Sequence, residues 1–328
     1  MKRIKAILFL LLLSLTLANF KYTATIAYAA ENNIYLGGFP AGFALETRGA
    51  YIMGLTDVIT EQGIKSPCKE AGIETGDIIL SIDGIPVNNA EDVEKAIANG
   101  EKKALEVKKC EGTDIIIAQP AKDLSGHYRL GIFIRNGING IGTVTYIKGD
   151  TFASLGHPVT DESGKPLDIV GGQLYPCKIT GYIAGERGKP GELRGIFVKN
   201  ETIGIIEKNL ISGVYGHAAE TFDKDRLTEI QTGEGKVGTA HIYTTISGES
   251  PEKYEISIIK VTDVAGDVKN FVIKINDERL LESTAGIVQG MSGSPIVQDG
   301  KLIGAVTHVF VNDPSRGFGI SIENMINN

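Results

Sequence analysis

The sequence has few of the residues that build metal centres, disulfide frameworks or nucleic-acid-binding surfaces. Its 328 residues include three cysteines, five histidines and no tryptophan. Cys68, Cys110 and Cys177 are odd in number and far apart, and no Cys-x-x-Cys pair or Cys/His cluster accompanies them, so neither a zinc site nor a set of disulfides is predicted. The formal net charge is −7 and no long basic run follows residue 5, which argues against nucleic acid as a partner. We expect no metal and no cofactor.

Charged side chains are also absent from residues 6–20, which read AILFLLLLSLTLANF and follow a short basic stretch. A membrane-spanning helix needs roughly 20 apolar residues, so this shorter run fits the core of a signal peptide. An Ala-x-Ala motif ends at Ala29, farther from the apolar core than is usual for cleavage, so an uncleaved signal anchor is the alternative. Residues 1–30 are therefore predicted to be a signal peptide or signal anchor. The body is expected to be exported across the cytoplasmic membrane and, if the segment is retained, to stay attached to that membrane.

Glycine, by contrast, is abundant: there are 41 glycines, while aromatic residues make up only 7% of the chain. Many glycines among many Val, Ile and Thr residues indicate short strands and tight turns rather than long helices. A chain of this length is expected to form two domains. The predicted fold class is mainly β.

Residues 35–122 are predicted to form a small α/β domain. Within it, AGIETGDIILSIDG at 71–84 precedes a helix with Asn89 as its N-cap, and two alternating strands follow around a turn at 111–112. This order and this signature resemble a bacterial PDZ domain, a module that binds peptides.

The glycine-rich turn at the start of this domain is a candidate peptide site. The N–H groups of Gly37, Gly38 and Phe39 could hold a peptide carboxylate, while the neighbouring strand edge accepts the peptide as an extra strand. The alternative is that these glycines only make a turn. No residue of the domain is expected to be catalytic.

Residues 130–328 are predicted to form a second, all-β domain. Short apolar strands alternate with Gly and Asn turns along most of this region, a texture typical of a barrel or a sandwich. Helical periodicity is scarce before a short stretch at 321–326.

Near the C-terminus two serines stand between glycines and a proline, in GMSGSP at 290–295. One interpretation is a tight turn, since Gly supplies positive φ and Pro stops strand pairing. The other is a nucleophile loop, because an attacking serine needs an exposed hydroxyl on a sharp turn and backbone N–H groups aimed at the oxyanion. The segment is compatible with both.

A nucleophilic serine needs a base, and His157 in ASLGHPVTD is the best of the five histidines. The strand before it ends at a glycine, and the following proline forces the backbone into a loop. His217 in VYGHAAE is a real competitor. His241 and His308 fit ordinary strand positions, and His127 falls between the two predicted domains.

A third group should orient the base and stabilise its charged form. The candidates are Asp161, Asp168, Asp263 and Asp277. Asp277 stands at a strand end that leads directly to the serine loop. His157, Asp277 and Ser292 then follow the order His…Asp…Ser found in chymotrypsin-like double barrels.

The segment GIVQGMSGSPIVQDGKLIGAVTHVFVNDPSRGFGI, with GTVTYI and FASLGH upstream and a PDZ domain ahead, resembles the stage IV sporulation protein B peptidases. These are PDZ-containing serine peptidases of endospore formers in the chymotrypsin-like clan. The resemblance covers essentially the whole chain and implies a PDZ domain followed by a double β-barrel. Pro158, directly after the histidine, departs from the smaller residue expected there.

The resemblance implies roles for particular residues. Ser292 would be the nucleophile, rather than Ser294, with His157 as the base and Asp277 as the acid. The N–H groups of Gly290 and Ser292 would form the oxyanion hole.

The resemblance also implies a setting. The peptidase would cut the membrane-bound FA component of the stage IV sporulation F complex in the space between the forespore membranes. That cut would release an intramembrane protease that activates a late sigma factor. Self-cleavage near the N-terminus is implied as well, with the protein's own N-terminal segment as a partner.

Two alternatives belong to other functional classes. One is a catalytically silent PDZ module that binds the tails of membrane proteins. The other is a general quality-control protease, although such proteases usually place PDZ domains after the protease domain. The PDZ-first order favours a dedicated signalling peptidase.

Overall fold

The computed structural model describes residues 33–327 apart from 110, 136, 162–163, 220–222, 224–225 and 263–267. The predicted signal segment, 1–30, lies outside the described residues. No helix in the described part of the chain is long and apolar enough to cross a membrane.

Two strands come first, β1 (Ile34–Leu36) and β2 (Pro40–Thr47). The next unit contains β3 (Ala50–Leu55), β4 (Val58–Thr60), β5 (Gly63–Lys65), α1 (Pro67–Glu70), β6 (Ile78–Ile82), β7 (Ile85–Pro86), α2 (Ala90–Ile97), β8 (Lys103–Lys109), β9 (Gly112–Ala118), β10 (Ala121–Lys122), β11 (Tyr128–Arg129) and β12 (Ile132–Arg135). Six further strands follow: β13 (Ile138–Lys148), β14 (Thr151–Ser154), β15 (Ile169–Ile183), β16 (Glu192–Phe197), β17 (Gly204–Leu210) and β18 (Gly213–Ala218). The last elements are β19 (Gln231–Thr232), β20 (Gly238–Thr244), β21 (Glu252–Val261), β22 (Phe271–Ile275), α3 (Glu278–Thr284), β23 (Pro295–Gln298), β24 (Lys301–Phe310), β25 (Asp313–Ser321) and α4 (Ile322–Ile326).

The unit from β3 to β12 is a small α/β domain with its own core. Its sheet has the order β12-β3-β6-β8-β9, and α2 packs Val93 and Ile97 into the core of that domain. The predicted N-cap is confirmed, because the Asn89 side chain accepts a hydrogen bond from the backbone N–H of Asp92. The predicted PDZ-like α/β domain is present.

The first barrel closes through six strands in the order β2-β13-β14-β18-β17-β15 and back to β2. Alternate residues of these strands point inward and bury Phe43, Val144, Phe152 and Ile206.

The second barrel closes in the order β20-β21-β22-β25-β24-β23 and back to β20. Counting strands along the chain within each barrel, both follow the same pairing order, 1-2-3-6-5-4. The predicted chymotrypsin-like double barrel is confirmed.

The predicted domain boundary at residue 35 differs from the structure. Strand β2 is the first strand of the first barrel: Leu45 pairs with Ile138 and Thr143 with Pro40. The α/β domain is therefore inserted between the first and second strands of that barrel. The physical reason is packing, since Ala41, Phe43 and Leu45 fill the barrel core and are at most 3% exposed.

The predicted carboxylate-binding turn at Gly37, Gly38 and Phe39 lies in the barrel as well, so that prediction is wrong. The N–H of Gly37 donates to Thr145 O at 3.0 Å and that of Gly38 to Val144 O at 2.8 Å, so neither is available to a peptide. A Cβ on Gly37 would lie 2.1 Å from the Val144 carbonyl oxygen. A glycine is therefore needed here because the backbone at residue 37 passes close to β13.

Candidate active site

The loop between the third and fourth strands of the second barrel carries the GMSGSP segment. Its path depends on two glycines with positive φ, +99° at Gly290 and +94° at Gly293. A Cβ on Gly293 would lie 2.1 Å from the Thr143 carbonyl oxygen of the first barrel. The glycine therefore lets the loop press against β13.

The structure separates the two serines of this loop. Ser294 is fully buried, and its hydroxyl donates to Met291 O at 2.6 Å, which closes a tight turn. Ser292 instead lines a cleft between the barrels, and its hydroxyl donates to Thr307 O at 2.7 Å. Of the two, only Ser292 has a hydroxyl in the cleft, where a substrate could reach it.

Two backbone amides beside Ser292 are free to bind an anion. Among the described residues, the N–H groups of Gly290 and Ser292 have no acceptor. The Gln289 carbonyl accepts from the Leu193 N–H at 2.8 Å. In a trans peptide the N–H and C=O point in opposite directions, so this bond turns the Gly290 N–H away from Leu193. Backbone N–H groups without an acceptor are the kind of donor that an oxyanion hole uses.

Strand β13 of the first barrel holds the loop from below. The Thr143 hydroxyl donates to Gly290 O at 2.9 Å, and the Thr143 N–H donates to Ser292 O at 3.0 Å. The Thr145 hydroxyl donates to Gly293 O at 2.8 Å. These bonds fix the peptide planes around the serine.

His157 reaches the same cleft from the loop between the third and fourth strands of the first barrel. Two residues with positive φ precede it, Leu155 at 66° and Gly156 at 67°, and they end β14 sharply. The His157 Nδ1 lies 2.7 Å from the Pro158 carbonyl oxygen. A carbonyl can only accept, so Nδ1 carries the proton and Nε2 keeps its lone pair. Burial lowers the pKa of His157, which keeps the imidazole neutral.

A second histidine that the sequence reasoning assigned to an ordinary strand position also faces the cleft. The ring of His308, on β24, lies over His157 with centroids 4.6 Å apart and planes tilted by 38°. Desolvation, then the charges of His157 and Lys269, lower the pKa of His308 to about 4. His308 is therefore neutral near pH 7 and contacts the ring of His157.

Asp277 does not join this group. It caps α3, with its Oδ1 accepting from the Arg279 N–H, and it pairs with the Arg279 guanidinium at 3.0 Å. That guanidinium is the main reason why the pKa of Asp277 is low. Within the described part of the chain, no carboxylate contacts His157. The structure therefore brings Ser292 and His157 into one cleft and leaves the predicted acid at a helix end.

The other acidic candidates are not among the residues that line the cleft, or they lie outside the described residues. Asp168 pairs with Arg48 at 3.0 Å on the surface, and Asp161 accepts from the Lys165 N–H within its own turn. Asp263 lies outside the described residues.

The other histidines are also placed elsewhere. The ring of His217 lies between Asp150, 3.3 Å from Nδ1, and Glu207, 3.4 Å from Nε2, on the outside of the first barrel. His241 sits in β20 opposite Val297, and His127 lies in the turn between β10 and β11. None of them lines the cleft that contains Ser292.

The inserted α/β domain has its own groove, with a volume of about 550 Å³, between α2 and β12. Strand β12 pairs with β3 on one side only, so its other edge can accept a peptide strand. Val93, Ile97, Ile132 and Phe133 line the groove. LGIF at 130–133 reads like one more short strand of the second domain, which was predicted to begin at residue 130. Strand β12 instead belongs to the sheet of the α/β domain, so that boundary differs from the structure.

No group of three or more His, Cys, Asp or Glu side chains that could hold a metal ion occurs in the described part of the chain. The cleft is lined by the Ser292 hydroxyl and by the imidazoles of His157 and His308.

Comparison with protein families gives two matches. The model for the SpoIVB peptidase S55 family matches residues 126–326, and the model for PDZ domains matches residues 58–109. The first match covers more than half of the chain. The chain belongs to the SpoIVB peptidase S55 family and is a serine peptidase.

Individual relatives are more distant. A Clostridium perfringens protein named as a zinc metalloprotease is 33% identical over 132 residues, which span 36% of this chain and 38% of that relative. Two crystal structures of inactive forms of the Rv3671c protease of M. tuberculosis each cover 57% of this chain. The matched regions span 81% and 78% of the two solved chains, with 12% and 11% sequence identity and TM-scores of 0.34 and 0.31.

Proposed function

We propose that this serine peptidase acts in spore formation, with Ser292 as nucleophile and His157 as general base. One observation carries the assignment of these residues: a single cleft receives the Ser292 loop of the second barrel and the His157 loop of the first. Membership of the SpoIVB peptidase S55 family supports the sporulation setting.

In the proposed reaction the Ser292 hydroxyl leaves Thr307 O when substrate binds, and it attacks the scissile carbonyl carbon. Its proton passes to Nε2 of His157, and the oxyanion accepts hydrogen bonds from the Gly290 and Ser292 N–H groups. The C–N bond then breaks, and His157 returns the proton to the leaving amine. Water, activated in the same way, hydrolyses the acyl-enzyme.

Since none of the described carboxylates contacts His157, the Pro158 carbonyl performs part of the role that an acid has in a triad. In a serine–histidine–aspartate triad the carboxylate holds the imidazole in the tautomer that leaves Nε2 free. Here the Pro158 carbonyl holds the same tautomer at 2.7 Å, without supplying a negative charge. The charged imidazolium is therefore stabilised less than in a triad with a carboxylate.

A fluorophosphonate probe tests the nucleophile directly. We expect mass spectrometry of the labelled protein to find the adduct on Ser292 alone. An adduct on Ser294, or no adduct on catalytically active protein, would contradict the assignment.

The substrate proposed is a membrane-bound regulatory protein of the stage IV sporulation FA type, whose cleavage releases an intramembrane protease and leads to sigma-factor processing. The same site is proposed to cut the protein's own N-terminal segment, in the space between the forespore membranes. The groove between α2 and β12 would bind the tail of the target or that segment, and a tethered segment has a high effective concentration.

Two matched substitutions in the full chain test this division of labour. Phe133 on β12 is 60% exposed at the groove, and Ile117 on β9 is 57% exposed at the opposite edge of the same sheet. We expect Phe133→Asp to slow cleavage of the membrane-protein target and of the N-terminal segment but not of a short peptide. Ile117→Asp should change neither. Equal effects of the two substitutions on the target would show that the groove does not select it.

A further inference from the structure

We propose that the catalytic cleft selects substrates with an uncharged aliphatic side chain on the residue that supplies the scissile carbonyl, and that Val309 is part of the wall that contacts it. The inference rests on the proposed role of Ser292 and adds the class of peptide that this site accepts.

The cleft is large enough for several residues of an extended peptide, with a volume of about 870 Å³. None of the described residues that line it is Asp, Glu, Lys or Arg. Lys269, whose charge contributes to the lowered pKa of His308, places its ammonium over the Phe318 ring at 4.9 Å and is not part of the lining. The two lining histidines have lowered pKa values and are neutral near pH 7.

The wall on the second-barrel side is aliphatic next to the nucleophile. Ile287 and Val288 lead into the serine loop, and Val309 and Val311 lie on or just beyond β24. Ile287 and Val288 are buried in the core of the second barrel, and Val309 packs against that core. Ile287, Val288 and Val309 therefore belong to a fixed wall, whereas Val311 is half exposed.

The position of Val309 follows from the contact of Ser292 with β24. The Ser292 hydroxyl bonds the Thr307 carbonyl at 2.7 Å, and Val309 is two residues farther along the strand. Two strand residues span about 7 Å. Val309 therefore lies within about one side-chain length of the point where Ser292 contacts the strand. The pairing of β24 with β25 is also irregular here, jumping from Val306–Gly319 to Val309–Gly317. Such bulges often re-aim side chains at active sites.

A charged side chain bound against this wall would lose its hydration without gaining a partner, whereas an aliphatic one gains from burial. We therefore expect a preference for Val or Leu over Asp or Lys of about 100-fold or more in kcat/KM.

The first experiment uses the wild-type protein and a synthetic library of short peptides, with cut positions read by mass spectrometry. Matched peptides that differ at one residue, Val, Leu, Asn, Asp or Lys, then give kcat/KM values. Cleavage after Lys or Asp as efficient as after Val would overturn the proposal, with no need for any variant.

The second experiment compares Val309→Asp with its uncharged counterpart Val309→Asn. The carboxylate should raise cleavage after Lys, relative to Val, by roughly tenfold or more, and the amide should not. Val237→Asp, at a position that is 63% exposed and outside the cleft, is the control and should keep the wild-type preference. A labelled Val309→Asp protein with unchanged preference would show that another residue forms the wall.

Titration with a fluorophosphonate separates the possible failures. If Ser292 in the wild-type protein is not labelled, the proposed nucleophile is wrong. If Ser292 is labelled and the peptides with charged residues are preferred, only the inference about the cleft fails.

Discussion

The two barrels pair their strands in the same order, yet the loop between the third and fourth strands is built differently in each. In the first barrel it leaves β14 through two positive-φ residues and presents His157. The Asn209 amide secures that loop by bonding the Val159 backbone on both its N–H and its C=O. In the second barrel the loop contains helix α3 and a glycine-rich turn, and it presents Ser292. Repetition of one topology places two different chemical groups in one cleft.

The barrels also differ in what they carry between their first and second strands. In the second barrel β20 leads into β21 through a short connection, whereas in the first the whole α/β domain intervenes between β2 and β13. Because Leu45 and Ile138 are paired neighbours, the two ends of the inserted domain leave the barrel side by side. A domain inserted between two adjacent strand ends disturbs the barrel little. The same hairpin lines the catalytic cleft, through Phe43 and Ile141, and bonds the serine loop through Thr143. The two strands that connect to the inserted domain therefore also line the cleft that contains Ser292.

The largest effect should come from the second-barrel loop. We expect Ser292→Ala to reduce kcat/KM by roughly a thousandfold or more, leaving only what the amides and binding contribute. Ser294→Ala removes a buried hydroxyl and should cost about 1–2 kcal/mol of unfolding free energy while retaining turnover. Peptide kinetics and thermal unfolding of both variants measure this; an inactive but folded Ser294→Ala would reverse the roles of the serines.

In the first barrel, substitution of His157 should lower kcat/KM nearly as much, whereas substitution of His217 should not. We expect His157→Ala to lower kcat/KM by roughly 100-fold or more, because the base and its neutral Nε2 are lost. His217→Ala, on the outside of the same barrel, should retain most of the activity. Peptide hydrolysis by both folded variants gives the answer, and the opposite ranking would assign the base to His217 on β18.

The contact between the barrels should have an intermediate effect. We expect Thr143→Val to lower kcat by about tenfold, since a buried carbonyl left without its donor costs about 1–3 kcal/mol and the Gly290 peptide loses its anchor. Thr180→Val, which removes a hydroxyl bond to Arg194 O at an exposed site, is the matched control. If Thr143→Val changes kcat no more than the control does, the amides are held by the loop alone.

The smallest effect on activity is expected at Asp277. Asn is as good an N-cap as Asp, so Asp277→Asn should keep both the helix and the activity, with kcat/KM changed by about twofold at most. Asp277→Ala should lose about 1 kcal/mol of stability through the cap. Unfolding curves and peptide kinetics separate these outcomes. A large loss of kcat/KM in folded Asp277→Asn would mean that this carboxylate serves the chemistry after all.

The sequence was informative wherever a function depends on neighbouring residues. The Asn89 cap, the PDZ signature at 71–84 and the glycine turn around Ser292 all depend on backbone conformations that a few adjacent residues impose. The alternating strands and their turns predicted an all-β domain, a barrel or a sandwich, for the same reason, and the double barrel was implied by the resemblance to the family. In these segments the order of apolar and polar residues and the capping and turn residues predict the same structure. The same segments also carry the resemblance to the family.

Long-range pairing decided the rest. Strand β2 reads like the start of the PDZ domain, but its partners β13 and β15 lie about 90 or more residues later in the chain, and only closure of the barrel assigns it. Asp277 has the right order along the chain for a triad, yet α3 and Arg279 engage its carboxylate before any histidine can. His308 looks like one residue of an ordinary strand, and only the approach of the first barrel lays its ring on His157. By itself the sequence determined the glycine turn around Ser292 and the barrel strands, since those follow from local backbone preference and alternation. Which side chains meet Ser292 was decided by the closure and packing of two barrels, because contacts between distant segments have no signature in the residues next to them.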